Sequence, residues 1–399
     1  MKRIALIAVL ATTFTIFSSS ATDDAIQPFT YHFPNQNTFP DDISFCIVDL
    51  KYDGNTIKVC EFGEGIESKF KGYDLLHGEG KLWSMFWDSL GTFKLPIWLI
   101  NKRLKQINKK EIALHNLFRH KGLCSSTLKQ LESSKFFHKK IRQARKKSGL
   151  AHRAALLVLH TLGDRSSVAK LFTAKYPQCL IIGQATTCFV RNKDKTNILF
   201  QDDPELLCYR PKFKLYEKQY SPNLARNIIN DLDCEIFVIK PTNASRGNGI
   251  IMVDKKQLDQ TLYLILQDKK ALENYHGDPS YSYWRLDHNP LFIVEEFTPS
   301  KSITVNNKNY DPTMRVIFML CNNAGSMDIT FFDAYWKLPT HSLEHQGPFT
   351  EKHKSHIGTL SPSSALVTHE DFLHVQAHLC NLLPKLYTKM LNYSSNRHD

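Results

Sequence analysis

The chain has 399 residues, 42% of them hydrophobic, so it can bury a large core and is not an intrinsically disordered chain. Lys and Arg total 51 against 39 Asp and Glu, a formal net charge of +12 that suits phosphate-bearing partners, although a plainly basic surface has the same balance. Nine cysteines form no CxxC pair, which excludes zinc ribbons and thioredoxin-type motifs, and no HExxH or G-x-S-x-G is present.

Residues 1–21 stand apart. Lys2 and Arg3 precede the apolar run Ile4–Phe17, and Ser19, Ser20 and Ala21 offer small residues for cleavage. This pattern predicts a secretory signal, hence export to a periplasm or medium, or a membrane anchor if uncleaved. A loose stretch rich in Pro, Asn and Asp follows. Next, Ile43–Asp49 and Thr56–Phe62 read as a hairpin around Asp53-Gly54-Asn55. Gly63–Gly80 is studded with glycine, Lys81–Leu90 is an aromatic amphipathic helix, and Pro96–Asn101 is a buried strand. From Lys109 to Lys175 the pattern predicts helix, with Ala154, Leu157 and Leu162 at helical spacing. The basic stretch Lys135–Lys147 reads as a solvated helix face.

Leu180–Gly183 is a further strand, and strands alternating with helices predict an α/β layer. The pattern then turns to strands at Ile236–Lys240, Ile250–Val253, Phe292–Phe297, Met314–Cys321 and Asp328–Asp333, with a helix at Lys256–Gln267. A closing helix, Glu370–Leu391, is expected to kink at Pro384. These breaks divide the chain at 1–21 (signal or anchor), 22–73, 74–190, 191–392 and a tail, 393–399.

The densest chemistry lies in Phe237–Ile250, where a strand ends in Lys240 and a small-residue loop leads to the next strand. Glycines at Gly247 and Gly249 let backbone N–H groups approach phosphate oxygens, and Lys240 adds a point charge. Asn243, Ser245 and Arg246 complete the candidate loop, although a bare hairpin with a flexible turn reads equally well from spacing alone. The strand Phe292–Phe297 ends in Glu295, Glu296 and Phe297, where a nucleotide would place adenine and ribose. Asp311 and Arg315 open the following strand, and a guanidinium suits a developing phosphate or acyl-phosphate charge.

Lysine strand, glycine loop, EEF-type hinge and arginine strand in this order resemble the ATP-grasp superfamily, locally its tubulin–tyrosine-ligase branch. Lys240, Pro241, Gly247, Gly249 and Ile250 match that branch's KP-x5-G-x-G-I stretch, and Asp311 and Arg315 match its KFD-x-R element with three intervening residues rather than one. Asp194-Lys195 resembles its upstream phosphate-contacting segment, with Lys193 a close competitor for Lys195. Lys337 and His353-Lys354-Ser355 occupy the place of later site-lining residues. The resemblance also implies a magnesium-holding hairpin after the arginine strand, and none is found there.

It stands instead at the opposite end of the chain. Period-two alternation puts Asp49 and Glu61 at facing positions of the first hairpin, with Gly63 where Asn is usual and Glu64 as a substitute ligand. A plain alternative is an edge hairpin whose acids face solvent. The implied fold class is therefore α+β: an ATP-grasp fold with a preceding α/β lobe, circularly permuted as in enzymes similar to glutathionylspermidine synthetase.

The implied activity is ATP-dependent ligation through an acyl-phosphate, with ATP and Mg2+ as cofactors and a small molecule, amino acid or peptide as substrate. Arg315 and Lys337 are the catalytic candidates, Lys195 joins the loop and hinge residues at the nucleotide, and Asp49, Glu61 and Glu64 would hold the metal. A non-catalytic binding protein and a phosphotransferase on the same scaffold are the rival expectations. Export conflicts with the need for ATP. No specific nucleic-acid site is evident, and a membrane contact is expected only through the N-terminal segment.

Overall fold

The computed structural model describes residues 30–31, 40–64, 71–93, 95–101, 124–126, 128–146, 155–160, 172–189, 192–244, 247–273, 278, 280–323, 325–347, 349–354 and 363–395. The predicted N-terminal signal lies outside them. Among the described residues no helix is long and apolar enough to cross a membrane.

A two-residue strand, β1 (Thr30–Tyr31), precedes the hairpin of β2 (Asp42–Tyr52) and β3 (Ile57–Glu64). Asp53 caps the turn between them, accepting from the backbone N–H groups of Asn55 and Thr56 at 2.8 and 2.7 Å. Two helices follow, α1 (Lys71–His77) and α2 (Lys81–Gly91). Then come β4 (Ile97–Asn101), β5 (Cys124–Ser126), helices α3 (Leu128–Ser133) and α4 (Lys135–Lys146), and strands β6 (Ala155–His160) and β7 (Cys179–Ile181). These four strands form a parallel sheet in the order β5-β4-β6-β7.

Strand β5 interrupts the helix expected across 109–175, and strand β6 corrects it a second time. Strand β6 lies between β4 and β7, where Ala155, Leu156 and Leu157 are fully buried. An inner parallel strand is covered on both faces and carries an unbroken apolar run, here ALLVLH, with no alternation to separate it from a buried helix.

The next region contains α5 (Lys193–Gln201), β8 (Phe213–Glu217), α6 (Leu224–Leu232), β9 (Ile236–Pro241), β10 (Ile251–Asp254), α7 (Leu258–Leu266), α8 (Ser280–Leu286) and β11 (Leu291–Glu296). Its strands pair antiparallel in the order β10-β9-β11-β8. Helices α6 and α7 present Leu224, Ile228, Leu232, Leu258, Leu262 and Ile265 at helical spacing to this sheet.

A small hairpin, β12 (Ile303–Val305) and β13 (Lys308–Tyr310), leads into the long strands β14 (Thr313–Asn323) and β15 (Ser326–Lys337). Helix α9 (Phe349–His353), strand β16 (Ser364–Leu366) and helix α10 (His369–Ser395) close the described chain. The helix expected at the C-terminus is present and runs through Pro384.

The largest sheet has the order β1-β15-β14-β2-β3, with β16 beside β15, so strands from both ends of the sequence share it. Strand β2 lies between β14 and β3 and is buried along its whole length. On one face, Val48, Leu50, Met314, Val316 and Trp336 pack with a stripe of α10 that includes Val375, Leu379, Leu383 and Leu386. On the other, Phe45, Ile47, Ile317 and Tyr335 meet Tyr73 of α1 and Trp83, Phe86 and Trp87 of α2, with Phe45 stacked on Phe86 at 4.1 Å. The architecture is α+β, with mainly antiparallel sheets and a four-stranded parallel layer.

Gly72 marks a close approach on this second face, because a Cβ there would lie 2.4 Å from Tyr335 Cε2. A Gly72→Ala substitution should therefore lower unfolding free energy by about 1–3 kcal/mol. Urea denaturation checks it, and an unchanged midpoint would contradict the packing.

Candidate active site

The face that carries Tyr335 also carries a row of polar side chains. Register pairs Tyr335 with Arg315, Arg315 with Asp49, and Asp49 with Glu61, one residue from each of β15, β14, β2 and β3. Directly opposed residues share a sheet face, so pairing alone aligns the row. Arg315 donates through Nε to Asp49 Oδ1 at 2.6 Å and through Nη2 to Asp49 Oδ2 at 2.8 Å. Lys337 Nζ donates to the same Oδ2 at 2.8 Å, and Arg315 Nη1 reaches Tyr335 Oη at 3.4 Å.

All three charged groups are buried. Burial by itself would raise the Asp49 carboxyl, but Arg315 and Lys337 overcome it and hold the group far below the usual carboxylate range. Burial depresses the Lys337 ammonium, Asp49 opposes that shift, and Arg315 adds to it.

A second cluster is built on the smaller sheet. Lys240, at the end of β9, is registered against Ile293, and its Nζ donates to Glu295 Oε2 of β11. Arg210 Nη2 donates to Glu295 Oε1 at 2.8 Å and to Asn197 Oδ1 at 2.6 Å, while Nη1 donates to the Val59 carbonyl of β3 at 2.6 Å. The Arg210 guanidinium also lies 5.5 and 5.4 Å from the ring centroids of Phe200 and Phe213. Burial would raise the Glu295 carboxyl, yet Lys240 and Arg210 hold it below its ordinary value.

The loop after β9 turns through Gly247 and Gly249, both left-handed with φ of 73° and 71°. Trp284 Nε1 donates to the Gly249 carbonyl at 2.9 Å, and Lys354 packs against Gly247. Lys193 Nζ donates to the Ala244 carbonyl at 2.7 Å. Of the two competing lysines of α5, Lys193 is thus the one seen to reach this loop; Lys195 is half-buried. Asn243 is exposed, its Nδ2 donating to Asn289 Oδ1 at 2.8 Å. Ser245, Arg246 and Ser355 lie outside the described residues. Glu296 accepts from the Lys212 N–H at 2.9 Å, and Phe297 sets its ring against His353 and Phe349 at 4.8 and 5.3 Å.

The two clusters meet through the first hairpin. Arg210 bonds β3 directly, and Cys60, the next residue after Val59, is a half-buried thiol raised by desolvation within the fields of Lys240, Glu295, Lys51 and Arg210. Lys51 Nζ donates to Asp311 Oδ2 at 2.8 Å, and the same oxygen lies 2.7 Å from His353 Nδ1. Asp311, grouped with Arg315 in the sequence, is therefore the counter-charge of Lys51. Arg210 and Lys51 escaped the sequence reading because neither belongs to a recognisable motif; both are set by register and burial.

Asp49 and Glu61 are hard oxygen donors on adjacent strands, the ligand type magnesium takes, but both Asp49 oxygens already accept from Arg315 or Lys337, so a magnesium ion there would have to displace one of those cations. Among the described residues, which do not include the side chain of Glu64, no group of three or more His, Cys, Asp or Glu side chains could hold a metal. Glu64 is registered opposite Cys46, away from the Asp49–Glu61 pair, and its side chain lies outside the described residues.

No family model matches the chain. No curated protein matches it in sequence. Among solved structures, a protein described as a gamma-glutamylcysteine synthetase from Methylobacillus flagellatus KT overlaps 90% of this chain and 91% of its own, with 10% identity and a TM-score of 0.41. A D-cycloserine synthetase overlaps 73% of this chain and 81% of its own, with 12% identity and a TM-score of 0.35. D-alanyl-alanine synthetase A from Vibrio cholerae has the same coverage, 10% identity and a TM-score of 0.33. Likeness at this level does not define chemistry. The site rests on the chain's own residues.

Two outcomes follow from the charges. Asp49→Ala would leave Arg315 and Lys337 buried without their shared carboxylate, and unfolding free energy should fall by about 3–5 kcal/mol in urea denaturation. Glu295 and Asp311 both have folded values held below the ordinary carboxylate range. Their contribution is present above the unfolded carboxylate value of about 4 and is lost as pH falls through the folded values. Stability measured in urea should decline steadily below about pH 5, less steeply in Glu295→Gln. A flat acid limb would contradict this.

Proposed function

We propose that the chain is an ATP-grasp ligase, with its sheet circularly permuted, that joins a carboxylate to an amine through an acyl-phosphate in a Mg2+-dependent reaction. The supporting observation is that Asp49, from the start of the chain, lies 2.6 Å from Arg315, while β3 of the same hairpin bonds the Arg210–Glu295–Lys240 cluster. This is the convergence that a permuted nucleotide-and-metal site requires.

Lys240, Lys193 and the backbone of the Gly247–Gly249 turn would hold the phosphates, and the strand end from Glu295 to Phe297 would take adenine and ribose. Arg315 would steady the anionic acyl-phosphate, its guanidinium already fixed by two bonds to Asp49 so that little reorganisation remains. Lys337 adds a second cation on the same carboxylate. Asp49 and Glu61 would hold magnesium, which supplies neutralisation of phosphate charge when bound. The substrates belong to the class of small molecules, amino acids or peptides.

A second reading, nucleotide binding without turnover, draws on the same cluster, because both Asp49 oxygens already accept from Arg315 and Lys337. Fluorescent-nucleotide binding and ADP release, measured with and without Mg2+ and with mixtures of amino acids and amines, separate the two. Lys240→Ala should weaken nucleotide binding. Arg315→Ala should keep binding yet lose ADP release by about a hundredfold or more. Failure of the unsubstituted protein to bind nucleotide would overturn both readings. Binding without ADP release favours the second, and a phosphorylated product in place of an amide would identify a phosphotransferase.

A further inference from the structure

Beyond the Asp49–Arg315 row, the same sheet face holds polar groups that the reaction described above does not use. Along β15, Lys337, Tyr335 and Asp333 occupy alternate positions, registered against Thr313, Arg315 and Ile317 of β14. Alternate residues share a face and are separated by about 6.6 Å. Lys51 and Asp311, which adjoin the nucleotide cluster, lie at one end of this face. Asp333 lies past Arg315 on the opposite side. A group attacking an acyl-phosphate held at Arg315 from the side away from the nucleotide would stand near Asp333.

Helix α1 completes the surroundings. His77 Nε2 lies 3.8 Å from Asp333 Oδ2, and neither atom has a hydrogen-bond partner although both are buried. Asp333 Oδ1 accepts from the Ala334 N–H at 2.7 Å, burial raises its carboxyl above the ordinary value, and the neighbouring Tyr73 hydroxyl donates to Met85 Sδ at 3.8 Å. The His77 ring stacks on Tyr73 at 4.2 Å, which fixes the imidazole in place, and Tyr73 in turn lies 6.5 Å from Tyr335. Lys81 contributes field to both His77 and Asp333. Two orphaned buried atoms facing each other cost free energy unless a shared partner fills the gap. Their separation is too long for a direct hydrogen bond, but one nitrogen carrying several N–H donors can reach both at about 2.9 Å.

We propose that Asp333, His77 and Tyr73 form the subsite for the attacking amine, holding a primary ammonium between Asp333 Oδ2 and His77 Nε2. The inference rests on the ligase reading and extends it to the nucleophile. One ammonium proton passes to His77 Nε2, and the freed nitrogen lone pair attacks the acyl carbon. The bond from that carbon to the phosphoryl oxygen breaks, phosphate leaves with the electron pair, and it takes the second proton that the nitrogen sheds as the neutral amide forms. Burial keeps the imidazole below its ordinary value, so the ring is neutral and able to accept before the amine arrives.

The probes are methylammonium, putrescine and glycinamide, with tetramethylammonium as a cation that has no N–H. The readout is the His77 imidazole resonance in heteronuclear NMR spectra, identified by its loss in His77→Gln. The primary amines should give saturable shifts of this resonance and tetramethylammonium none. Asp333→Asn should weaken amine binding roughly tenfold, as expected for loss of a charge-assisted bond, with fluorescent-nucleotide binding and near-UV circular dichroism unchanged. Absence of a shift with all three primary amines, an equal response to tetramethylammonium, or undiminished binding in Asp333→Asn would overturn the proposal. Nucleotide binding is measured on the same samples. Its loss in the unsubstituted protein would sink the ligase reading, whereas intact nucleotide binding without amine binding sinks only the subsite.

Discussion

The pairing of β2 with β14 is the constraint on which the rest of the molecule depends. It places a buried carboxylate, Asp49, against a buried guanidinium, Arg315, with a second cation, Lys337, on the same oxygen. None of the three could be buried alone without a large desolvation cost. Together they fix register, because a one-residue slip of β2 would turn Asp49 toward the α10 face and present an apolar neighbour to Arg315. The same pairing covers both faces of β2, one with the α10 stripe and one with the aromatics of α1 and α2.

The two ion clusters share one design. Asp49 is held by Arg315 and Lys337, and Glu295 is held by Lys240 and Arg210, so each carboxylate meets two cations. Each carboxylate positions its cations and keeps them buried without fully cancelling their charge. At Glu295 two cations meet one carboxylate and leave a positive excess that suits a polyphosphate, whereas Glu61 beside Asp49 balances the other cluster; in both, preorganised cations stabilise developing charge without further ordering. The overall charge of the chain is a weaker guide, since much of the basic stretch of α4 is exposed and remote from these residues in sequence.

Much of this was legible in the sequence where the signal is local. Period-two alternation set Asp49 opposite Glu61, and the Lys240 strand with its glycine turn announced itself by composition. Arg315 could be singled out at the entrance of its strand. The partners that hold these groups were not legible. Arg210 and Lys51 are ordinary basic residues until strands far apart in the chain place Glu295 and Asp311 beside them. The choice between Lys193 and Lys195 depends on how α5 faces the loop, which short spacing does not determine. Strand β6 was hidden because burial on both faces erases alternation.

The shared sheet also imposes an order of events on biosynthesis. Asp49 and Arg315 are separated by 266 residues, so the β2–β3 hairpin leaves the ribosome long before its neighbour β14 exists. Until then β2 has one open edge, and the apolar face that α10 will cover stays bare while α1 and α2 are already made, a nascent segment suited to chaperone binding and exposed to mispairing. Native contacts of such wide sequence separation close late and slowly. A ribosome that stalls or terminates before about residue 313 would release a hairpin with no native place to dock, whatever the state of the lobes already made.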